Sequence, residues 1–336
     1  MAITRTAGLI VFTAMLYAAS TTHERRFGID YSVSIDKIPT LANTVEIWLP
    51  VPHDSPYQSI SRLELTSDDL SYREGFQVTA TKSKIETGEY GNKMFHIRFN
   101  PHGATQSIAL NMQFVVKRLE HQRPTGGETS SDKDPNIQRW LAPDRLVPLD
   151  NKIRGWAQEV VDAAGAKTDF EKARAIYNHI VATVKYDKTG QGWGRGDIYY
   201  ACDARRGNCT DFHAIFIGYA RALGIPARFS IGLPIPKERG QGIIAGYHCW
   251  AEFYIKGMGW IPLDASEAAK DPTRREYFFG AHDENRVEFS RGRDITLTPR
   301  QQGEPLNYFV YPYVEVDGKP YANVKSTFRY GDIGKH

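Results

Sequence analysis

Three residues of this chain have the side chains for nucleophilic acyl chemistry, and each sits where local signals would hold it in place. Cys209 follows Gly207-Asn208 and opens an apolar-periodic run. Phe212, Ile215, Phe216, Tyr219, Ala220 and Leu223 recur at helical intervals until Gly224 and Pro226 end the pattern. Asn208 is the expected N-cap, which places Cys209 in the first turn, where backbone N–H groups lack intrahelical acceptors and the helix dipole favours negative charge. A thiolate is favoured there, so the thiol pKa is expected below its usual value of about 8.5. Gly246 to Ile255 reads as an aromatic-rich strand, Lys256-Gly257-Met258-Gly259 as a turn, and Trp260 to Asp264 as a second short strand. Folding back across that turn brings Asp264 close to His248, with the register open to a one-residue shift. A cysteine at a helix start, a histidine on a strand and an acid on its neighbour make a Cys-His-Asp set. The imidazole takes the thiol proton and the carboxylate holds the ring in the right tautomer.

Each of the three has a plainer reading. Cys209 is otherwise a small buried hydrophobe, His248 a structural histidine, and Asp264 a cap for the turn Ala265-Ser266-Glu267. The three signals together weigh for chemistry. Alternation along the strand puts His248, Trp250, Glu252 and Tyr254 on a more polar face, and Cys249, Ala251, Phe253 and Ile255 on the core face. His213 lies four residues after Cys209, on the same side of the helix. Cys209, His213, His248 and Asp264 have the ligand types of a zinc site, but a metal there would occupy the nucleophile. Neither metal nor cofactor is expected, and His213 is assigned to packing or to a hydrogen bond with Asp211 or a nearby carbonyl.

The elements that must position these residues divide the chain. Residues 28–120 alternate in short runs: Gly28–Ile35, Thr44–His53, Phe76–Ala80, Lys93–Phe99 and Gln106–Val116. Turn residues separate them, which predicts a β-sandwich accessory domain. His53, His96 and His102 are scattered within it and read as surface or structural residues. Residues 121–137 are polar and read as a linker or long loop. A catalytic domain is expected over 138–300. It contains a helix over Asn151–Ala164 and another whose Thr168 and Glu171 form a capping-box signal. The stretch Thr189–Asp197 is glycine-rich but lacks the context of a dinucleotide fingerprint and is read as a mobile or substrate-facing loop. Asp294–Leu297 is expected as a strand, and residues 301–336 as a C-terminal β-hairpin turning at Asp317-Gly318.

Of the 336 residues, 41% are hydrophobic and 24% charged, the balance of a soluble globular protein and not of a disordered chain. A net charge of +3 is too small to imply a nucleic-acid partner. Residues 1–22 contain an apolar run, Ala7–Ala19, that resembles a secretory leader and is too short for a stable membrane anchor. A periplasmic or secreted location is slightly favoured over a cytoplasmic one. Besides Cys209, Cys202 and Cys249 are read as two buried thiols in preference to a disulfide.

The motifs Gly207–His213, Gly246–Glu252 and Gly259–Ala265 together resemble the core of the transglutaminase-like superfamily, in its bacterial branch, over about residues 150–280. The resemblance implies an α+β, papain-like core in which a helix bearing the nucleophile packs on an antiparallel sheet. By position, Cys209 would be the nucleophile, His248 the base and later acid, and Asp264 the orienting carboxylate. Family members often place an oxyanion donor upstream of the cysteine. Trp193, Tyr199 and Tyr200 lie there, with Tyr200 preferred as donor and core packing the plainer reading of all three, while Trp250 either shields the His248–Asp264 contact or simply packs. The implied activity is acyl transfer on a carboxamide or peptide through a thioester, with a primary amine as candidate acceptor. The alternatives are a peptidase or amidase of the same fold, or a non-catalytic interaction module.

Overall fold

The computed structural model describes residues 23–67, 85–101, 107–123 and 134–334. The apolar leader, the strand expected over Phe76–Ala80, His102 and most of the polar stretch 121–137 lie outside these residues. The N-terminal segment supplies β1 (Glu24–Asp36), β2 (Val45–Val51), β3 (Gln58–Thr66), β4 (Ile85–Thr87), β5 (Lys93–Phe99), β6 (Ser107–Leu119) and β7 (His121–Gln122). There follow α1 (Asn151–Ala163), α2 (Asp169–Thr183), β8 (Lys185–Tyr186), α3 (Ile198–Ala204), β9 (Arg206–Gly207), α4 (Cys209–Ala222), β10 (Ala227–Pro234) and β11 (Gln241–Ile244). The remainder is β12 (His248–Ile255), β13 (Gly259–Leu263), α5 (Ala265–Lys270), β14 (Ala281–His282), β15 (Arg286–Arg291), β16 (Tyr313–Val316), β17 (Lys319–Pro320) and β18 (Val324–Asp332). The fold is α+β with antiparallel sheets.

One five-stranded sheet has the order β11-β18-β1-β6-β3 and the other β17-β16-β2-β5-β4. Alternation decides which side chains face inward. Phe27, Ile29, Tyr31, Val33 and Ile35 of β1 share a core with Val45, Ile47, Leu49 and Val51 of β2. The tail differs from the expected hairpin. Val324–Asp332 runs along β1, pairing Tyr31 with Phe328, while Tyr313–Val316 pairs with β2. The C-terminal strands therefore enter both N-terminal sheets, and Gln241–Ile244 adds an edge strand beyond β18. Only Lys319–Pro320 folds back on Tyr313–Val316. Strand pairing is a long-range choice that a hairpin signal at Asp317-Gly318 cannot make. Asp294–Leu297 forms no strand; Ile295 makes a single bridge to Leu306.

A four-stranded antiparallel sheet, β13-β12-β10-β15, carries the candidate site. Helix α4 packs on β12 and β10 and is enclosed by α1, α2, α3 and α5. All fourteen of its residues are buried, not one face of it, because sheet and helices surround it. Gly218 fits where a Cβ would come within 2.3 Å of Ile198 Cδ1. The expected caps form: Thr168 Oγ1 accepts from Glu171 N, and Glu171 Oε2 from Thr168 N. Strand β12 is buried on both faces from His248 to Phe253, so its more polar face, with His248 and Glu252, lies inside the protein. There Glu252 is neutralised by Arg228, whose Nε lies 2.6 Å from Glu252 Oε2. Among the described residues no helix is long and apolar enough to cross a membrane.

Candidate active site

The start of α4 is over-determined. Asn208 Oδ1 accepts from Thr210 N at 2.9 Å, and Asp211 Oδ2 returns a bond to Asn208 N at 2.9 Å, a capping box. The same carboxylate accepts from Gly194 N at 2.7 Å and Gly196 N at 3.0 Å, so it fastens the glycine-rich loop to the helix start. Gly194 and Gly196 have positive φ, +84° and +62°, which glycine adopts without steric cost. Gly207 is required by proximity: a Cβ there would lie 2.1 Å from Asp211 Oδ2. Burial pushes the Asp211 pKa up in spite of its three N–H donors.

Strands β12 and β13 pair with Ala251 opposite Leu263, which leaves Asp264 just past the end of β13. His248 Nε2 meets Asp264 Oδ2 at 2.7 Å. With Nε2 engaged, Nδ1 is the ring nitrogen left for the side-chain hydrogen bond between His248 and Cys209. Asp264 also fulfils the plainer reading: its Oδ1 accepts from Glu267 N at 3.0 Å and Ser266 Oγ at 2.9 Å, capping α5. One carboxylate thus caps a helix and orients a ring. Arg286, buried beside it, donates to Oδ2 at 3.2 Å. His213 fills the space behind: Cys209 O lies 2.8 Å from its Nδ1, and its Nε2 accepts from Ala265 N at 3.2 Å. That fixes the tautomer with the proton on Nδ1 and ties the starts of α4 and α5 together.

The electrostatics follow from this arrangement. Burial opposes charge on Cys209, yet hydrogen bonds from Cys249 and His248 and the charge of the His248 imidazolium outweigh it, holding the thiol well below its ordinary value. Burial likewise opposes charge on His248, but Asp264 and the Cys209 thiolate raise its pKa to about 10. Asp264 is buried too, and His248 and Arg286 hold it well below the usual carboxylate range. Both shifts run in the direction that favours thiolate with imidazolium over the neutral pair. Cys202, by contrast, is pushed up to about 11 by burial, and Cys249 is raised well above a free thiol by burial and its neighbour Cys209. All three cysteines are unbonded. Iodoacetamide is therefore expected to modify Cys209 alone between pH 6 and 7. The rate should already be flat with pH there, because the thiolate persists until the thiol is protonated at much lower pH. Tryptic mass spectrometry against pH checks this; a rate rising through about pH 8.5, or modification of Cys202 first, would contradict it.

The other residues singled out from sequence divide. The Trp193 indole N–H donates to Gly190 O at 3.2 Å, within its own loop. The Tyr199 hydroxyl is bound to Asp150, the N-cap of α1. The Tyr200 hydroxyl is buried without a hydrogen-bond partner, its ring packed under Gly192. Trp250 is wholly buried 6.1 Å from the His248 ring, and the Arg286 guanidinium lies 4.9 Å over it. Sequence reasoning missed Arg286, which has no local signal. It also passed over Tyr247, whose hydroxyl accepts from Asn208 Nδ2 at 2.9 Å and meets Thr210 Oγ1 at 3.2 Å. Tyr247 stands beside His248 in sequence, and that adjacency was its one signal. Its ring packs on Tyr308 and Tyr311, with centroids 5.4 and 6.1 Å away.

Comparison with known proteins finds relatives of this chain in sequence and in fold. A Haemophilus influenzae protein of uncharacterised function is 27% identical over 330 residues, covering 86% of this chain and 85% of that protein. A Cytophaga hutchinsonii protein provisionally described as a cysteine protease superposes with a TM-score of 0.61 at 16% identity, over 94% of this chain and 92% of that one. The periplasmic domain of TgpA from Pseudomonas aeruginosa gives a TM-score of 0.38 at 15% identity, over 76% of this chain and 91% of its own. The family model of the transglutaminase-like superfamily matches residues 154–265, from α1 through the Cys209 helix and the His248 strand to one residue past Asp264. The chain therefore contains a domain of the transglutaminase-like superfamily, in an α+β setting of helices and antiparallel sheets.

Proposed function

We propose that the protein is a cysteine-dependent acyltransferase that acts on carboxamide or peptide substrates through a thioester. The Cys209 thiolate adds to the carboxamide carbon, and the oxyanion is met by the Cys209 backbone N–H, which as the first helical N–H has no intrahelical acceptor. Tyr200 is the proposed second donor, supported by its buried and unbonded hydroxyl. Collapse expels ammonia, which takes the His248 proton, and leaves the thioester. A primary amine then adds, gives its proton to His248 Nδ1, and releases the thiolate with a new amide. Asp264 stabilises the imidazolium at both stages without taking its proton.

The observation that carries transfer over hydrolysis is burial. Cys209 is 1% exposed, His248 5% and Asp264 0%, so a thioester formed there is shielded from bulk water. Tyr247, Tyr308 and Tyr311 would flank an approaching amine. The apolar run Ala7–Ala19 supports a periplasmic or secreted setting for this chemistry. Incubation with a glutamine-containing peptide, with and without a primary amine, tests the reading by mass spectrometry. Ammonia release with amine incorporation exceeding acid formation is expected. Acid alone would make the protein an amidase, cleavage of the peptide chain a peptidase, and no thioester or product an interaction module.

A further inference from the structure

Four residues along β12 from His248, three side chains from distant segments meet. His121 of β7 and His282 of β14 pair across a two-residue antiparallel ladder, and Glu252 of β12 lies beside both. One ligand-capable atom from each falls within 4.8 Å of the others. His121 is 4% exposed, Glu252 2% and His282 0%. The His282 ring donates through Nε2 to Leu263 O at 2.9 Å, which leaves Nδ1 as its lone-pair nitrogen. That atom is buried with no hydrogen-bond partner. A histidine that donates one N–H to a backbone carbonyl and offers the other nitrogen is held as metal-ligating histidines are held. The His121 ring is fixed by stacking on Tyr57 at 3.6 Å, and its Nδ1 lies 3.6 Å from Glu252 Oε1. Arg228 grips the other oxygen of that carboxylate.

We infer that His121, Glu252 and His282 form a binding site for one divalent cation of the Zn2+ type, independent of the acyl-transfer reading. Two imidazoles and a carboxylate are the donor set such borderline cations take. Tetrahedral bonds of about 2.0–2.2 Å place donor atoms roughly 3.4 Å apart. The His121–Glu252 edge, 3.6 Å, already has nearly that length, and no edge exceeds 4.8 Å, so a bound cation would draw the three donors together. A fourth position faces a cavity of about 260 Å³ that His121 and Glu252 line together with Tyr57 and Arg118. The surrounding guanidiniums set the opposing field. Arg291 is paired with Glu288 at 2.5 Å, and Arg286 with Asp264 and Asp283. Arg118 bonds the neutral amide of Gln58 at 3.4 Å, so its charge opposes the cation most directly. The site joins the end of the N-terminal strands to β12 and, through Leu263, to the backbone that carries Asp264.

The test uses the full chain in a Cys209→Ala background, which removes the competing thiolate. Equilibrium dialysis against Co2+ is expected to give one bound equivalent with a visible band of tetrahedral type, displaced by Zn2+. His121→Gln and His282→Gln should each weaken binding by at least about 100-fold, and Arg118→Gln should tighten it. Because a buried histidine variant can fail to fold, zinc K-edge absorption on the folded Cys209→Ala protein provides a second readout, with two imidazoles and no sulfur expected. Absence of a bound equivalent, a bound equivalent that survives both histidine variants, or fewer than two imidazoles would each overturn the site.

Discussion

Replacing Cys209 with alanine is expected to lower amine incorporation by about 10⁴-fold or more, since removing the nucleophile removes the covalent route and leaves only binding and the oxyanion donors. Cys209→Ser should fare little better, because a hydroxyl beside His248 does not ionise as the thiol does. A structural cysteine would also cost activity if the fold failed, so a readout tied to the ion pair is needed. The His248 pKa of about 10 depends in part on the thiolate. In Cys209→Ala that value should fall, as followed by NMR of the ring protons, while the thermal transition stays close to that of the parent. A His248 titration unchanged by the substitution would refute the pair.

Asp264 carries the second large effect because it serves two structures at once. Asp264→Asn keeps an oxygen for the Glu267 N–H but loses the charge that stabilises the imidazolium, and the rate is expected to fall by roughly 10³–10⁴-fold. Asp264→Ala additionally removes the α5 cap and breaks the buried contact with Arg286, and should cost about 3–5 kcal/mol of stability. The pH dependence has a definite sign. The folded-state pKa lies well below the ordinary 3.8, so the carboxylate's contribution is full above that value and is lost as pH falls from it towards the depressed folded one. Denaturant titrations from pH 6 to pH 2 should therefore show stability falling less steeply in Asp264→Asn than in the parent. Parallel curves would mean that the carboxylate is not held in this network.

Local signals were legible in the chain. Caps at Thr168 and Asn208, the strand over Lys93–Phe99 and the turn after Ile255 depend on neighbours a few residues apart and formed where the pattern placed them, while the strand expected over Gly246–Ile255 begins at His248. Elements without such a pattern were not legible. Strand β3 shows little alternation because it lies at a sheet edge and is interrupted between Ser61 and Glu64, where Arg62 takes a φ of +52°. The double role of Asp264 was visible only as two competing readings, and the structure realises both.

The sequence by itself determined the three motifs, their order, and the helix start and strand that carry Cys209 and His248, because capping and alternation act through adjacent residues. Only the tertiary structure decided what surrounds them. Arg286 behind Asp264, Tyr247 over the helix cap, the C-terminal strands within both N-terminal sheets and the meeting of His121, Glu252 and His282 all join segments that no spacing relates. Their proximity is set by how sheets and helices share one buried interior, and a buried charge or lone pair acquires its chemistry from whatever that packing brings within a few ångströms of it.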